Sequence, residues 1–214
     1  LVYIFSWISD LRLGSKARLI ERVKDDVAAM LQPSTNFLVR LRCSADVLTF
    51  LGFAANLVAA TLFALHHYRW GGLAVLIAGI FDFFDGQVAR AGKTASKFGA
   101  LLDSTVDRYS EIIVWFGLAV SFIKAGSLWT SSALFFAMAG SLMVSYVRAR
   151  AEGLGEECKV GFMQRPERVI ALGLGGLIGT DGLTMAAWVI AVLANVTVFE
   201  RMLYVRRQTR DELS

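Results

Sequence analysis

Residues 81–108 read FDFFDGQVARAGKTASKFGALLDSTVDR and hold four aspartates in two pairs. Asp82 and Asp85 are three apart, and Asp103 and Asp107 are four apart. Both spacings place side chains on one face of an α-helix. Strongly apolar sequence flanks each pair, so each projects from a helix that otherwise belongs in lipid or in a core. Burying four like charges is prohibitive unless cations neutralise them. Two facing helices that share divalent metal between their carboxylates solve the problem. Oxygen-only ligands suit Mg²⁺, Mn²⁺ or Ca²⁺ rather than zinc.

The small residues in the same stretch extend this reading. Gly86 and Ala89 follow Asp85 by one and four positions, and Gly99 stands one turn before Asp103. Missing side chains beside a metal let a ligand approach the backbone. Arg90 and Lys93 add positive charge where a phosphate could be held. Metal, small residues and cations together point to a diphosphate substrate.

Three chemistries compete for these acids. In an enzyme, metals held by the aspartates clamp a diphosphate and stabilise its leaving group. Asp107, the last carboxylate, is then partly free to take a proton from an attacking hydroxyl as general base. In a cation transporter, the acids line an ion path, which favours acids on several spans rather than crowded at one end of two. In the blandest case they are paired to arginines such as Arg90 and Arg108 and only hold helices together, although four carboxylates outnumber those partners.

The elements that must carry the acids are membrane helices. Of the 214 residues, 56% are hydrophobic and only two are proline; a soluble domain is nearer ~45–50% apolar. The expected fold is an all-α integral membrane protein with six transmembrane helices preceded by an amphipathic juxtamembrane helix. The spans are expected at about 46–67, 70–91, 98–122, 128–149, 165–178 and 183–205, with Gly179-Thr180-Asp181-Gly182 as a tight turn. Residues 15–32 alternate apolar and charged positions at helical spacing, and Pro33-Ser34-Thr35-Asn36 is expected to end that helix. Two units follow: a juxtamembrane segment, 1–42, and a six-helix domain, 43–214. Basic residues such as Arg90, Lys97, Arg150, Arg165 and Arg207 gather at one end, while Arg69 and Lys124 mark the other. The positive-inside rule puts the basic, carboxylate-bearing end in the cytoplasm, in a multi-pass cell-membrane protein. Cys43 and Cys158 then face a reducing compartment and are expected to be free thiols.

The arrangement Asp82-x2-Asp85-Gly86-x2-Ala89-Arg90-x8-Gly99-x3-Asp103-x3-Asp107 matches, at every position, the signature of the CDP-alcohol phosphotransferases, and the chain resembles that family over roughly 43–207. The resemblance implies transfer of a substituted phosphoryl group from a CDP-alcohol to an acceptor hydroxyl, with release of CMP. It implies binding of Mg²⁺ (or Mn²⁺), as two ions, by Asp82, Asp85, Asp103 and Asp107, with Asp107 also the base. Gly86, Ala89 and Gly99 make room for the CDP moiety, and Arg90 helps hold it. It also implies a six-helix fold, usually as a homodimer. The expected partners are CDP-diacylglycerol or another CDP-alcohol, an acceptor and the lipid bilayer, with no nucleic acid.

The acceptor is read from the arginines further along. Arg148, Arg150, Arg165, Arg168 and Arg201 are expected near the active face, where guanidiniums suit an anionic acceptor. The alternative for any one of them is contact with cytoplasm or anionic headgroups. The stretches SYVRARAEGLG, GFMQRPERVIAL and SADVLTFLG are similar to the bacterial phosphatidylinositol-phosphate synthase branch, in which the basic residues at these positions bind the acceptor phosphate. Inositol 1-phosphate is therefore the expected acceptor. Phosphatidylglycerophosphate synthesis, and archaetidylinositol-phosphate or di-inositol-phosphate synthesis, are the other members of the family kept open.

Overall fold

The computed structural model describes residues 32–41 and 44–211, and among them the only regular elements are helices. Residues 32–40 form α1. Then come α2 (Ala45–Ala64), α3 (Tyr68–Ala91), α4 (Lys97–Lys124), α5 (Leu128–Glu152), α6 (Arg165–Ile178) and α7 (Thr180–Asp211). Most of the amphipathic helix expected at 15–32, along with Arg42 and Cys43, lies outside the described residues. Pro33 to Asn36 do not stop a helix, as expected, but lie within α1; a proline fits a first turn as well as a boundary.

Local sequence explains the helix starts. Ser44 caps α2 by accepting the Val47 N–H at 3.3 Å, and Ser96 caps α4 by accepting the Gly99 N–H at 2.9 Å. These side chains satisfy N–H groups that have no partner within the helix. Pro166 sits in the first turn of α6, where its missing N–H costs nothing. Only Gly179, with φ of 118°, separates α6 from α7, so the expected four-residue turn is a single-residue break.

Four helices, α2, α3, α5 and α7, are long and apolar enough to cross a membrane. α4 is long enough, but it carries Asp103, Asp107, Arg108 and Glu111. α6 has 14 residues, a length of about 21 Å at helical rise, short of the roughly 30 Å hydrocarbon core. Large apolar side chains such as Phe50, Val58, Ile80, Phe116, Phe136 and Phe199 point outward. Phe63, Trp115, Leu118, Leu134 and Ile190 fill the inside. An apolar exterior around an apolar interior is what a lipid solvent requires.

The main helix contacts close a ring in the order α2, α3, α6, α7, α5, α4. Short α6 is seated in it by bare backbone. A Cβ on Gly72 of α3 would lie 2.6 Å from the Gly173 carbonyl oxygen and 2.8 Å from the Gly176 Cα. Such close approach of backbones is the packing that membrane helices use in place of hydrophobic drive. The ring leaves α4 and α6 on opposite sides of the interior, and the functional site bridges them.

Candidate active site

The four aspartates stand at one end of the ring, Asp82 and Asp85 late in α3 and Asp103 and Asp107 early in α4. Asp85 and Asp107 are buried, and Asp82 and Asp103 are partly buried. Asp103 lies within electrostatic reach of Asp82, Asp85 and Asp107, so the pairs face each other as their spacing implied. Two α2 residues, Thr49 and Gly52, complete the floor. The buried Thr49 hydroxyl donates to Asp85 Oδ2 at 2.8 Å. Gly52 leaves the space for the other acid, since a Cβ there would sit 2.7 Å from Asp82 Oδ1.

Arg165, at the start of α6, bridges the acids. Its Nη2 lies 2.8 Å from Asp82 Oδ2 and its Nη1 lies 2.6 Å from Asp107 Oδ2. One guanidinium thus joins α3 to α4 from a third helix. Among the described residues no three acidic, histidine or cysteine side chains converge closely enough to hold an ion as they stand. The donor set nonetheless fits a divalent cation: all its oxygens come from carboxylates, and a positive charge already sits between two of them. Asp82, Glu111, Arg165 and Arg168 share the lining of a cavity of about 20 Å³ behind this bridge, room for a single water.

The residues expected on the nucleotide side lie next to this cluster along α3 and α4. The Arg90 guanidinium folds back over Gly86, where an added Cβ would meet Nη1 at 3.3 Å. Ala89 is half-buried and Arg90 is exposed. Gly99 lies in the capped first turn of α4, its N–H bonded to Ser96.

The five arginines expected around an acceptor are not one open set. Arg165 is bound to the aspartates. Arg168 is 1% exposed, and all three of its nitrogens are engaged: Nε with Glu111 Oε1 at 2.6 Å, Nη2 with Glu111 Oε2 at 2.9 Å and Nη1 with the Met163 carbonyl at 3.1 Å. Arg201, also buried, donates to the Val160 carbonyl at 2.8 Å and to the Val144 carbonyl. Arg148 lies within electrostatic reach of Arg201 but pairs at the surface with Glu152 at 2.8 Å. Arg150 is exposed. Glu111, which the sequence reading passed over, is the residue that fixes Arg168. Its register, one turn beyond Asp107 and two beyond Asp103, was the available signal. Cys158 is a free, fully buried thiol beside Arg201.

Facing acids on two helices, crossed by an arginine from a third, define a site for a charged group. The CDP-alcohol phosphatidyltransferase family profile matches residues 42–199, and the chain belongs to that family of transferases. A phosphatidylinositol phosphate synthase of Mycobacteroides abscessus is 40% identical over 194 residues, covering 86% of each chain. An archaetidylinositol phosphate synthase of Methanothermobacter thermautotrophicus is 38% identical over 170 residues, covering 78% of this chain and 85% of that one. Among solved structures, the Mycobacterium tuberculosis phosphatidylinositol phosphate synthase with CDP-DAG bound aligns with a TM-score of 0.74 at 31% identity, over 83% of this chain and 94% of that one. The same enzyme in complex with manganese and citrate aligns with a TM-score of 0.71 at 30% identity, over 81% of this chain and 87% of that one.

Proposed function

We propose that the chain transfers the phosphatidyl group of CDP-diacylglycerol to inositol 1-phosphate and releases CMP. The carrying observation is the pair of facing carboxylate sets on α3 and α4, crossed by a cation from α6. The relatives support the substrates. The bacterial and archaeal enzymes differ by name in their lipid and agree on inositol phosphate.

Asp82, Asp85, Asp103 and Asp107 are the residues that would hold two Mg²⁺ or Mn²⁺ ions. When bound, such ions supply neutralisation of the diphosphate and of the CMP leaving group. Gly86, Ala89 and Gly99 keep side-chain bulk away from the cytidine diphosphate, and Arg90, folded over Gly86, sets a positive charge beside it. An acceptor hydroxyl attacks the phosphorus that bears diacylglycerol. The new P–O bond forms as the P–O bond to CMP breaks, and Asp107 takes the hydroxyl proton. Arg148, Arg150, Arg165, Arg168 and Arg201 bias that end of the bundle toward a phosphorylated acceptor.

In the same reading all six helices from α2 to α7 cross the bilayer, as a homodimer. The carboxylate end faces the cytoplasm, where soluble acceptor and CMP exchange, while the lipid chains reach the site from the bilayer. The deciding experiment is CMP release from CDP-diacylglycerol in membranes, with inositol 1-phosphate, glycerol 3-phosphate, serine or free inositol offered in turn. Release with inositol 1-phosphate alone supports the assignment. Release only with glycerol 3-phosphate moves the chain to phosphatidylglycerophosphate synthesis within the same family.

A further inference from the structure

We propose that Arg165 is a placeholder cation: it occupies the carboxylate site while divalent metal is absent, and metal exchanges it toward the anionic acceptor. The inference rests on reading the four aspartates as the metal site and the acceptor as a phosphate. It adds that the two ligands are coupled through one side chain.

The geometry carries the first half. Arg165 places its two terminal nitrogens on different helices, Nη1 at 2.6 Å from Asp107 on α4 and Nη2 at 2.8 Å from Asp82 on α3. A guanidinium fork that joins two carboxylates in this way neutralises buried charge that would otherwise stand unpaired. The oxygens it occupies belong to the acids assigned to metal. A dication between them would meet a fixed positive charge at hydrogen-bond distance, so both cannot share those oxygens in this geometry.

The surroundings carry the second half. The Arg165 side chain is 24% exposed, against 14% for Asp82 and 11% for Asp107, so it is the outermost of the three groups. It is the first residue of α6, preceded by the extended Gln164. One turn on, Arg168 is locked to Glu111 and to the Met163 carbonyl. The helix is therefore anchored, and the exchange needs only a swing of the Arg165 side chain. A displaced Arg165 stays tethered at the mouth of the site, where a phosphate is its natural partner. Metal and acceptor then bind with positive coupling, which linkage makes reciprocal.

The test is calorimetric titration of the full chain in lipid nanodiscs, without nucleotide. Mn²⁺ is titrated into wild type, Arg165→Gln and Arg165→Lys, each with and without inositol 1-phosphate. Arg165→Gln should bind Mn²⁺ about tenfold more tightly than wild type, with Arg165→Lys between them. Inositol 1-phosphate should tighten Mn²⁺ binding in wild type by about fivefold or more and leave Arg165→Gln unaffected. Metal-free Arg165→Gln should unfold at a lower temperature than wild type, with Mn²⁺ closing the gap. Equal or weaker Mn²⁺ binding by Arg165→Gln, beside normal binding by wild type, would overturn the placeholder and leave the metal site standing. Tighter Mn²⁺ binding with undiminished coupling in Arg165→Gln would overturn the exchange toward acceptor. Wild type that takes up no Mn²⁺ would remove the metal site and the inference together.

Discussion

Arg168 and Glu111 face each other across the interior of the helix ring and share two parallel hydrogen bonds, 2.6 and 2.9 Å long. One turn away, Arg165 and Asp107 do the same work at 2.6 Å. The two contacts form a ladder between α4 and α6, helices that the ring does not pack side by side. Breaking a buried pair by removing one member strands the other charge, at about 3–5 kcal/mol. Glu111→Gln and Arg168→Met should each lower thermal stability in detergent on that scale. The double variant should lose clearly less than the two losses added together, because it strands neither charge. Additive losses would mean that Glu111 and Arg168 are not coupled.

Asp107→Asn should abolish CMP release while CDP-diacylglycerol still binds, since the amide cannot accept the acceptor proton. Single-turnover assays beside equilibrium nucleotide binding separate the two effects. Turnover that survives the change would relieve Asp107 of the base role.

Gly52→Ala tests the floor of the site. The added methyl would stand 2.7 Å from Asp82 Oδ1, so the carboxylate must shift. A misplacement of this size should cost about tenfold or more in kcat, with the chain still folded. Unchanged turnover and unchanged Mn²⁺ affinity in this variant would show that Asp82 does not need its present position.

Cys158 reports on the α5–α6 loop. It is fully buried, and burial pushes its thiol up from the usual range despite the nearby Arg201. Little thiolate forms near neutral pH, and access is blocked. In a Cys43→Ser background the protein should resist maleimide labelling. Arg201→Met frees the Val160 and Val144 carbonyls and should raise the labelling rate about tenfold or more by opening the loop. Fast labelling of the parent protein would contradict the burial.

The carboxylate pairs were legible because helical period alone decides which side chains share a face, and acids in an apolar helix have few reasons to exist. The bundle was legible for the same cause: the boundaries of α3, α5 and α6 fall within three residues of their apolar limits. The arginines were not. RPER can be read as a basic helix start, but whether Arg165 or Arg168 meets an acid depends on which helix stands opposite. That is decided by Gly72, Gly173 and Gly176, whose spacing says nothing of their partners. Thr49 and Gly52 lie in the SADVLTFLG stretch, but its residues do not tell which acid each will meet until Asp85 and Asp82 are set against them. The four residues at 179–182 looked like a turn, but one glycine with positive φ sufficed.

The segment 153–164 between α5 and α6 is long for this chain, and by length alone it would invite engineered inserts. It is instead pinned at three points: Arg201 on the Val160 carbonyl, Thr197 on the Met163 N–H at 3.2 Å, and Arg168 on the Met163 carbonyl. An epitope or fluorescent reporter spliced there would pull on α6 and displace Arg165 from its aspartates. The short 125–127 corner at the opposite end, where Gly126 takes φ of 71° with nothing within 4 Å of an added Cβ, is the place where foreign sequence can be grafted without reaching the chemistry.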